Sequence, residues 1–386
     1  VASLDVARGL AMALMALDHC RDFVASGQDL FSPLDPATTN VLRYFTRWAT
    51  HICAPLFFFL AGVGIRLSLE RGPSSGRSRR GKALQLLVRG ALLMGLEFTV
   101  VRWAWSFGGN PEIFLFQVIW ALGAGMMVAA AFVFASDRLR LVFGCALCLG
   151  HNLLDHVAPA AFGSWGWLWT LVHAGGRVPL DGGYVLAVSY PIIPWIGLMP
   201  LGMAAGRLWA EGRPGREGIL AWSGAALLAA FVLLRLWGGY GDPRDWTVFP
   251  SPSRTFYSFL NMTKYPPSLD YLLAMLGLSG LVLALAERPW GRLGAWLGVF
   301  GRTPLFFYVI HLFVLHGLAV GVAHARFGRA DWLFALPWAP RPGAGQDESL
   351  GWVYAVWLAC LVALYPMCRL YGRLRSRRPG WWGSLF

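Results

Sequence analysis

Arg8 and His19 lie eleven positions apart in the opening apolar stretch of the chain. At about 100° per residue that separation returns to roughly 20° past three full turns, so both side chains share one helix face, about 16 Å apart along the axis. Asp5, Met12, Met15 and Asp22 extend the same stripe at steps of three and four residues, and Asp18 stands beside His19. An imidazole with a carboxylate neighbour is suited to proton chemistry, because Asp18 could orient or charge His19. Charged groups inside a membrane helix are costly, so the stripe reads as the wall of a functional cavity. The plainer alternative is a polar pair that ties helices together.

Further polar groups gather at a similar depth. His51 follows Arg47-Trp48-Ala49-Thr50 at the outer end of a second apolar run. Gln117, the Tyr190–Trp195 segment, Lys264-Tyr265-Pro266-Pro267-Ser268, Tyr308 and His311 open or interrupt later runs, with Glu97, His151, Asp155, His156 and His316 elsewhere. The inner halves of the runs are mostly apolar, which is the pattern of a site reached from outside or lying at the midplane. Metal-protease, P-loop, dinucleotide and nucleophile-elbow motifs are absent, and no metal site is expected. Cys145 and Cys148 form a C-x-x-C inside an apolar helix and read as small buried residues, not a redox pair.

These residues must be held by membrane helices. The 386-residue chain is 56% hydrophobic and 14% charged, with a mean hydropathy of +0.52; a soluble chain carries about 25% charge. Apolar runs recur over 7–25, 51–69, 84–106, 114–135, 139–157, 186–208, 218–237, 267–286, 303–323 and 351–371. They predict an all-α integral membrane protein with about ten transmembrane helices in a single polytopic domain over 1–386. The net charge of +13 comes from basic residues at helix ends, so it points to membrane orientation and not to nucleic acid. Placing the basic segment Arg71–Lys82 inside puts Arg138, Arg207, Arg288 and the tail Arg369–Arg378 inside too, with both termini cytoplasmic. No cleavable leader is expected before Ser3–Arg8, and Val1 implies that the natural chain starts earlier. The longer outer loops carry Trp165, Trp167, Trp169 and Trp332–Arg341, which anchor at the interface or pack over a cavity.

Several segments together resemble a known family. They are Ser3–Gly9 with Met15 and Asp18-His19, Thr50–Pro55 with Phe57–Gly62, Tyr190–Trp195, Lys264–Leu269, and Gly301–Tyr308 with His311. They resemble the bacterial multispan proteins classed with the catalytic domain of heparan-α-glucosaminide N-acetyltransferase. The Arg-to-His spacing is also similar to the first-helix motif of the acyltransferase-3 membrane enzymes. The resemblance implies a transmembrane acyltransferase bundle in a bacterial inner membrane. Its donor would be cytoplasmic acyl-CoA, acetyl-CoA first, and its acceptor an amine or hydroxyl of an extracytoplasmic sugar or glycolipid.

On that reading Arg8, Arg302 and Tyr308 serve the donor. His19 is the base or acyl carrier, with Asp18 or Asp22 holding its tautomer. Tyr308, Lys264 or Gln117 stabilises the oxyanion, and Trp195 and His311 complete the acceptor side. The animal lysosomal branch places its proposed catalytic His in the first lumenal loop, but residues 24–50 here contain none. The base is therefore His19 or His51. A homodimer is compatible with this reading. The rival is a transporter of a small polar solute, disfavoured because most prolines lie at span ends, Pro200 excepted.

Overall fold

The computed structural model describes residues 1–24, 32–71, 78–336 and 349–377. Parts of the expected basic loop (72–77), of the Trp332–Arg341 loop (337–341) and of the tail (Arg378 onward) lie outside the described residues. The helices run α1 (Ala2–Val24), α2 (Val41–Ala49), α3 (Cys53–Glu70), α4 (Arg79–Leu96) and α5 (Arg102–Ser106), then α6 (Val118–Phe132), α7 (Asp137–Gly150) and α8 (Gly166–Trp169). They continue with α9 (Trp195–Ala205), α10 (Arg207–Ala210), α11 (Arg216–Trp237), α12 (Pro252–Leu260), α13 (Leu269–Ala286), α14 (Gly291–Arg302), α15 (Pro304–Phe327) and α16 (Leu350–Arg377).

Local chemistry fixes many of these boundaries. Asn40, Ser78, Ser136 and Ser268 each accept a hydrogen bond from a backbone N–H of the first turn, starting α2, α4, α7 and α13. Pro304 begins α15, where its missing N–H costs nothing. Gly238 and Gly328, both at positive φ, end α11 and α15.

Among the described residues, six helical stretches are long and apolar enough to cross a membrane: Val41–Glu70, Arg79–Ser106, α11, α13, α15 and α16. A seventh candidate is a bent pair, Asp137–Leu154 with Pro159–Ala174, broken by 102°. The chain is thus a helical membrane protein. Helix is found within every one of the ten expected runs, but not always as a straight span. The run over 114–135 opens in a strand, that over 186–208 is only a short helix preceded by strand and loop, and that over 139–157 ends at the bend. The helix α1 falls short of the six because it carries Asp5, Arg8, Asp18, Arg21 and Asp22. Pro366 lies inside α16 beside the expected interior Pro200 in α9, so interior proline is not confined to one helix.

The expectation of helix alone is also corrected. Strands β1 (Ile113–Phe116), β2 (Gly176–Pro179) and β3 (Val185–Val188) form a small sheet of order β1-β3-β2. β1 and β3 are parallel, with Phe116 opposite Val188, and β2 is antiparallel to β3. The loops outside the bundle satisfy part of their backbone polar groups in this way. The sheet has a consequence for the site: Gln117 directly follows β1 and Ser189-Tyr190 directly follow β3, so the pairing of Phe116 with Val188 sets those residues side by side.

α1 packs against α3, α13, α14, α15 and α16. Small residues permit the approach. A Cβ on Gly9 would stand 2.0 Å from the Leu297 carbonyl oxygen, and one on Gly301 1.8 Å from that of Asp5, so α1 and α14 touch backbone to backbone. Gly62 and Gly202 join α3 to α9 in the same manner. Gly301→Ala is expected to destabilise the protein by about 1–3 kcal/mol, read as a lowered melting midpoint in detergent. Gly317→Ala, at an open position on α15, is the control; equal midpoints for the two variants would remove close backbone packing from this account of α1.

Candidate functional site

The predicted stripe of α1 lines two cavities in succession. Asp5, Arg8, Met12 and Met15 line one of about 490 Å³, and Met15, Asp18, His19 and Asp22 line another of about 310 Å³. The two share Met15, Phe57 and Val118. They therefore adjoin at an apolar waist built from α1, α3 and α6.

The Arg8 end is cationic. Arg8 donates to Asp5 Oδ1 at 3.2 Å and to the Gly301 carbonyl at 3.0 Å, which holds its guanidinium against the wall. Lys82, Arg89, Arg302 and Arg375 line the same cavity, where Asp5 is the one carboxylate among the described lining residues. Tyr308 is 3% exposed and lines this cavity, with the Trp105 side chain near its hydroxyl. A neighbouring cleft of about 670 Å³ shares Ser68 and Lys82 with it and adds Arg66, Arg71, Arg79 and Arg140. There Asp137 pairs with Arg66 at 2.7 Å and with Arg140 at 2.5 Å.

The His19 end is built from remote segments. His19 Nδ1 lies 2.7 Å from His311 Nε2. His311 Nδ1 lies 3.0 Å from the Phe307 carbonyl. A carbonyl only accepts, so Nδ1 of His311 carries the hydrogen and its Nε2 lone pair accepts from His19 Nδ1–H. Neutral His19 then keeps an Nε2 lone pair with no partner among the described residues. This is the arrangement of an oriented base or nucleophile. Trp105 meets the His19 ring edge-on at 4.9 Å and closes one side.

Asp18 makes no hydrogen bond to His19. Its carboxylate binds Arg47 at 2.5 Å and Arg21 at 3.2 Å, while Asp22 takes the same Arg21 at 2.9 Å. His51 is 2% exposed, sits behind the wall edge-on to Tyr271 at 5.7 Å, and lines neither cavity, although its neighbours Thr50 and Cys53 do. Trp195 is fully buried against Phe58 and Tyr190, so it backs the cavity without reaching it. Gln117 and Lys264 line the His19 cavity. Glu97, fully buried, accepts from the Trp120 N–H at 2.9 Å and fixes the start of α6.

Several wall residues were not given roles by sequence reasoning. Arg89 had a signal, an unexplained charge deep in an apolar run. Arg47, Tyr190 and Tyr265 lay in noticed segments, but their role follows only from folding. Arg375 lay within the basic tail Arg369–Arg378 without being singled out, and nothing in the sequence marks Trp105.

A family model described as heparan-alpha-glucosaminide N-acetyltransferase, catalytic, matches residues 1–236. No curated protein matches the chain. The matched stretch holds α1 through most of α11; Lys264, Arg302, Tyr308 and His311 lie beyond it.

The free Nε2 of His19 has a direct consequence. Diethyl pyrocarbonate is expected to carbethoxylate His19 ahead of His51, His151, His311 and His316, as mapped by mass spectrometry. His151 and His316 have both ring nitrogens against backbone carbonyls, and His51 is enclosed. Equal labelling of His19 and His311 would contradict the tautomer assigned to the pair.

Proposed function

The chain belongs to the heparan-α-glucosaminide N-acetyltransferase catalytic family, and on that premise we propose that it is a membrane acyltransferase. It moves an acyl group, acetyl first, from acyl-CoA on the cytoplasmic side to a sugar or glycolipid on the other side. The observation that carries this reading is the α1 stripe, which is basic where it lines one cavity and carries a paired histidine where it lines the next. A donor with several phosphates and a long thin arm suits a cationic chamber followed by an apolar waist.

In this reading Arg8, Lys82, Arg89, Arg302 and Arg375 hold the phosphates by charge-assisted hydrogen bonds. Met12, Met15 and Phe57 flank the arm without competing polar contacts. The thioester carbonyl then sits between the waist and His19. His19 Nε2 takes the proton of the acceptor O–H or N–H as that atom attacks the carbonyl carbon. The C–S bond breaks, and the proton returns to the leaving thiolate. His311 keeps His19 Nδ1 protonated throughout. The Tyr308 hydroxyl, a donor on the wall of the first cavity, suits the carbonyl oxygen as negative charge develops on it.

Sidedness follows from charge. Asp5, Arg8, Lys82 and Arg375 line one cavity, which supports placing the starts of α1 and α4 and the last turns of α16 on one side. Their positive charge supports reading that side as the cytoplasmic one, in a bacterial inner membrane. We take the ten helical runs as one polytopic domain, with α1 and the shorter segments enclosed by the more apolar helices. The adjoining cavities also suit a transporter, and the test separates the two.

Purified protein in detergent is expected to bind acetyl-CoA. Arg302→Glu should weaken that binding by about tenfold or more. His19→Ala should keep binding but lower turnover by about 10²–10⁴-fold. Label left on the protein after [14C]acetyl-CoA alone distinguishes an acyl-histidine from direct transfer. Absence of acetyl-CoA binding, with solute flux in proteoliposomes, would replace the enzyme with the transporter.

A further inference from the structure

The charges at the His19 end do not balance evenly. Asp18 and Asp22 are both engaged by arginine, through Arg47 and Arg21. Lys264 is on the same wall, more than nine-tenths buried, and among the described residues no carboxylate lies within 4.0 Å of its ammonium and no acceptor takes its hydrogen bond. Its ammonium stands over the Tyr265 ring, 5.2 Å from the centroid. Asp18 on the same wall is the carboxylate that acts on it, and Asp18 is already held by Arg47 and Arg21, so the wall keeps a surplus positive charge that an anionic ligand would balance.

The fold holds Lys264 in place. Asp242 accepts from the Thr263 N–H, the Thr263 hydroxyl and the Ser268 hydroxyl, each at 2.7 Å, and so clamps the turn on both sides of Lys264-Tyr265. Tyr265 and Tyr190 meet edge-on at 5.5 Å and line the same cavity. They give flat apolar faces beside a fixed cation and beside the His19 imidazole.

We infer that the acceptor is a sugar unit carrying a carboxylate or a phosphate, selected by Lys264, and that it presents a hydroxyl to His19. This rests on the acyltransferase reading for the chemistry but not for the binding. An amino sugar in its ammonium form would meet Lys264 with like charge, which favours a hydroxyl over a charged amine in this subsite. The step balances as an ester exchange: the hydroxyl oxygen bonds to the acyl carbon, the C–S bond breaks, and the hydroxyl proton passes through His19 to the thiolate.

The test is binding to detergent-purified protein without acyl-CoA, using methyl glucuronide, methyl glucoside 6-phosphate, methyl glucoside and methyl glucosaminide. At least one anionic glycoside is expected to bind about tenfold or more tightly than methyl glucoside, and methyl glucosaminide most weakly. The two anionic probes separate a carboxylate from a phosphate source. Lys264→Met should bring the anionic and neutral affinities together, and Lys264→Arg should keep them apart, which separates lost charge from lost folding. Equal binding of charged and neutral sugars, tightest binding of the glucosaminide, no binding of either anionic probe, or a preference that survives Lys264→Met overturns the inference. An anionic preference lost in Lys264→Met, with no acyl transfer from acetyl-CoA, would keep this site and retire the transferase.

Discussion

The polar face of α1 is the constraint on which the rest of the structure depends. A charge left facing lipid costs about 2.5–3.5 kcal/mol at the centre of a membrane, and α1 carries Asp5 and Arg8 toward one end and Asp18, Arg21 and Asp22 toward the other. Such a helix is stable only where other helices take its polar face out of the lipid. The bundle supplies α3, α13, α14, α15 and α16 around it. Gly9 and Gly301 let α14 come close enough to give Arg8 a backbone acceptor. Arg47, from α2, completes the pairing of Asp18 at the other end.

Enclosing that face without filling it leaves two adjoining cavities. Their difference in character comes from what each neighbour contributes. At one end α4, α14 and α16 bring cations from segments hundreds of residues apart in sequence. At the other, the small sheet registers Gln117 beside Ser189 and Tyr190, and the Asp242 clamp sets Lys264 and Tyr265 opposite them. The His19–His311 contact sits at the joint between α1 and α15 and gives the imidazole one defined tautomer. Carboxylates near His19 are occupied by arginine, so a neutral imidazole does the orienting. This leaves His19 without the added basicity that a directly bonded carboxylate confers.

The family match ends at residue 236, yet the proposed chemistry needs residues beyond it. The two parts are joined physically: α13, α14, α15 and α16 all pack on α1. The second part thus supplies the partner of the catalytic candidate, His311, and the cation proposed to select the acceptor, Lys264.

The sequence by itself determined the membrane class, the helical character and the stripe from Asp5 to Asp22. Each depends on local periodicity and composition, which survive without knowing the neighbours. It also marked Arg8, Arg302 and Tyr308, which do line one cavity, and Gln117 and Lys264, which do line the other. Only the tertiary structure decided that His311 and not Asp18 meets His19, and that His51 and Trp195 stand behind the wall. It also decided that Arg89 and Arg375 join Arg8, and that three short strands hold Gln117 and Ser189-Tyr190 in register. Those outcomes turn on which helices become neighbours and on differences of a few ångströms in depth. Spacing along one chain fixes the face of a residue, but it does not fix the residue on the facing helix.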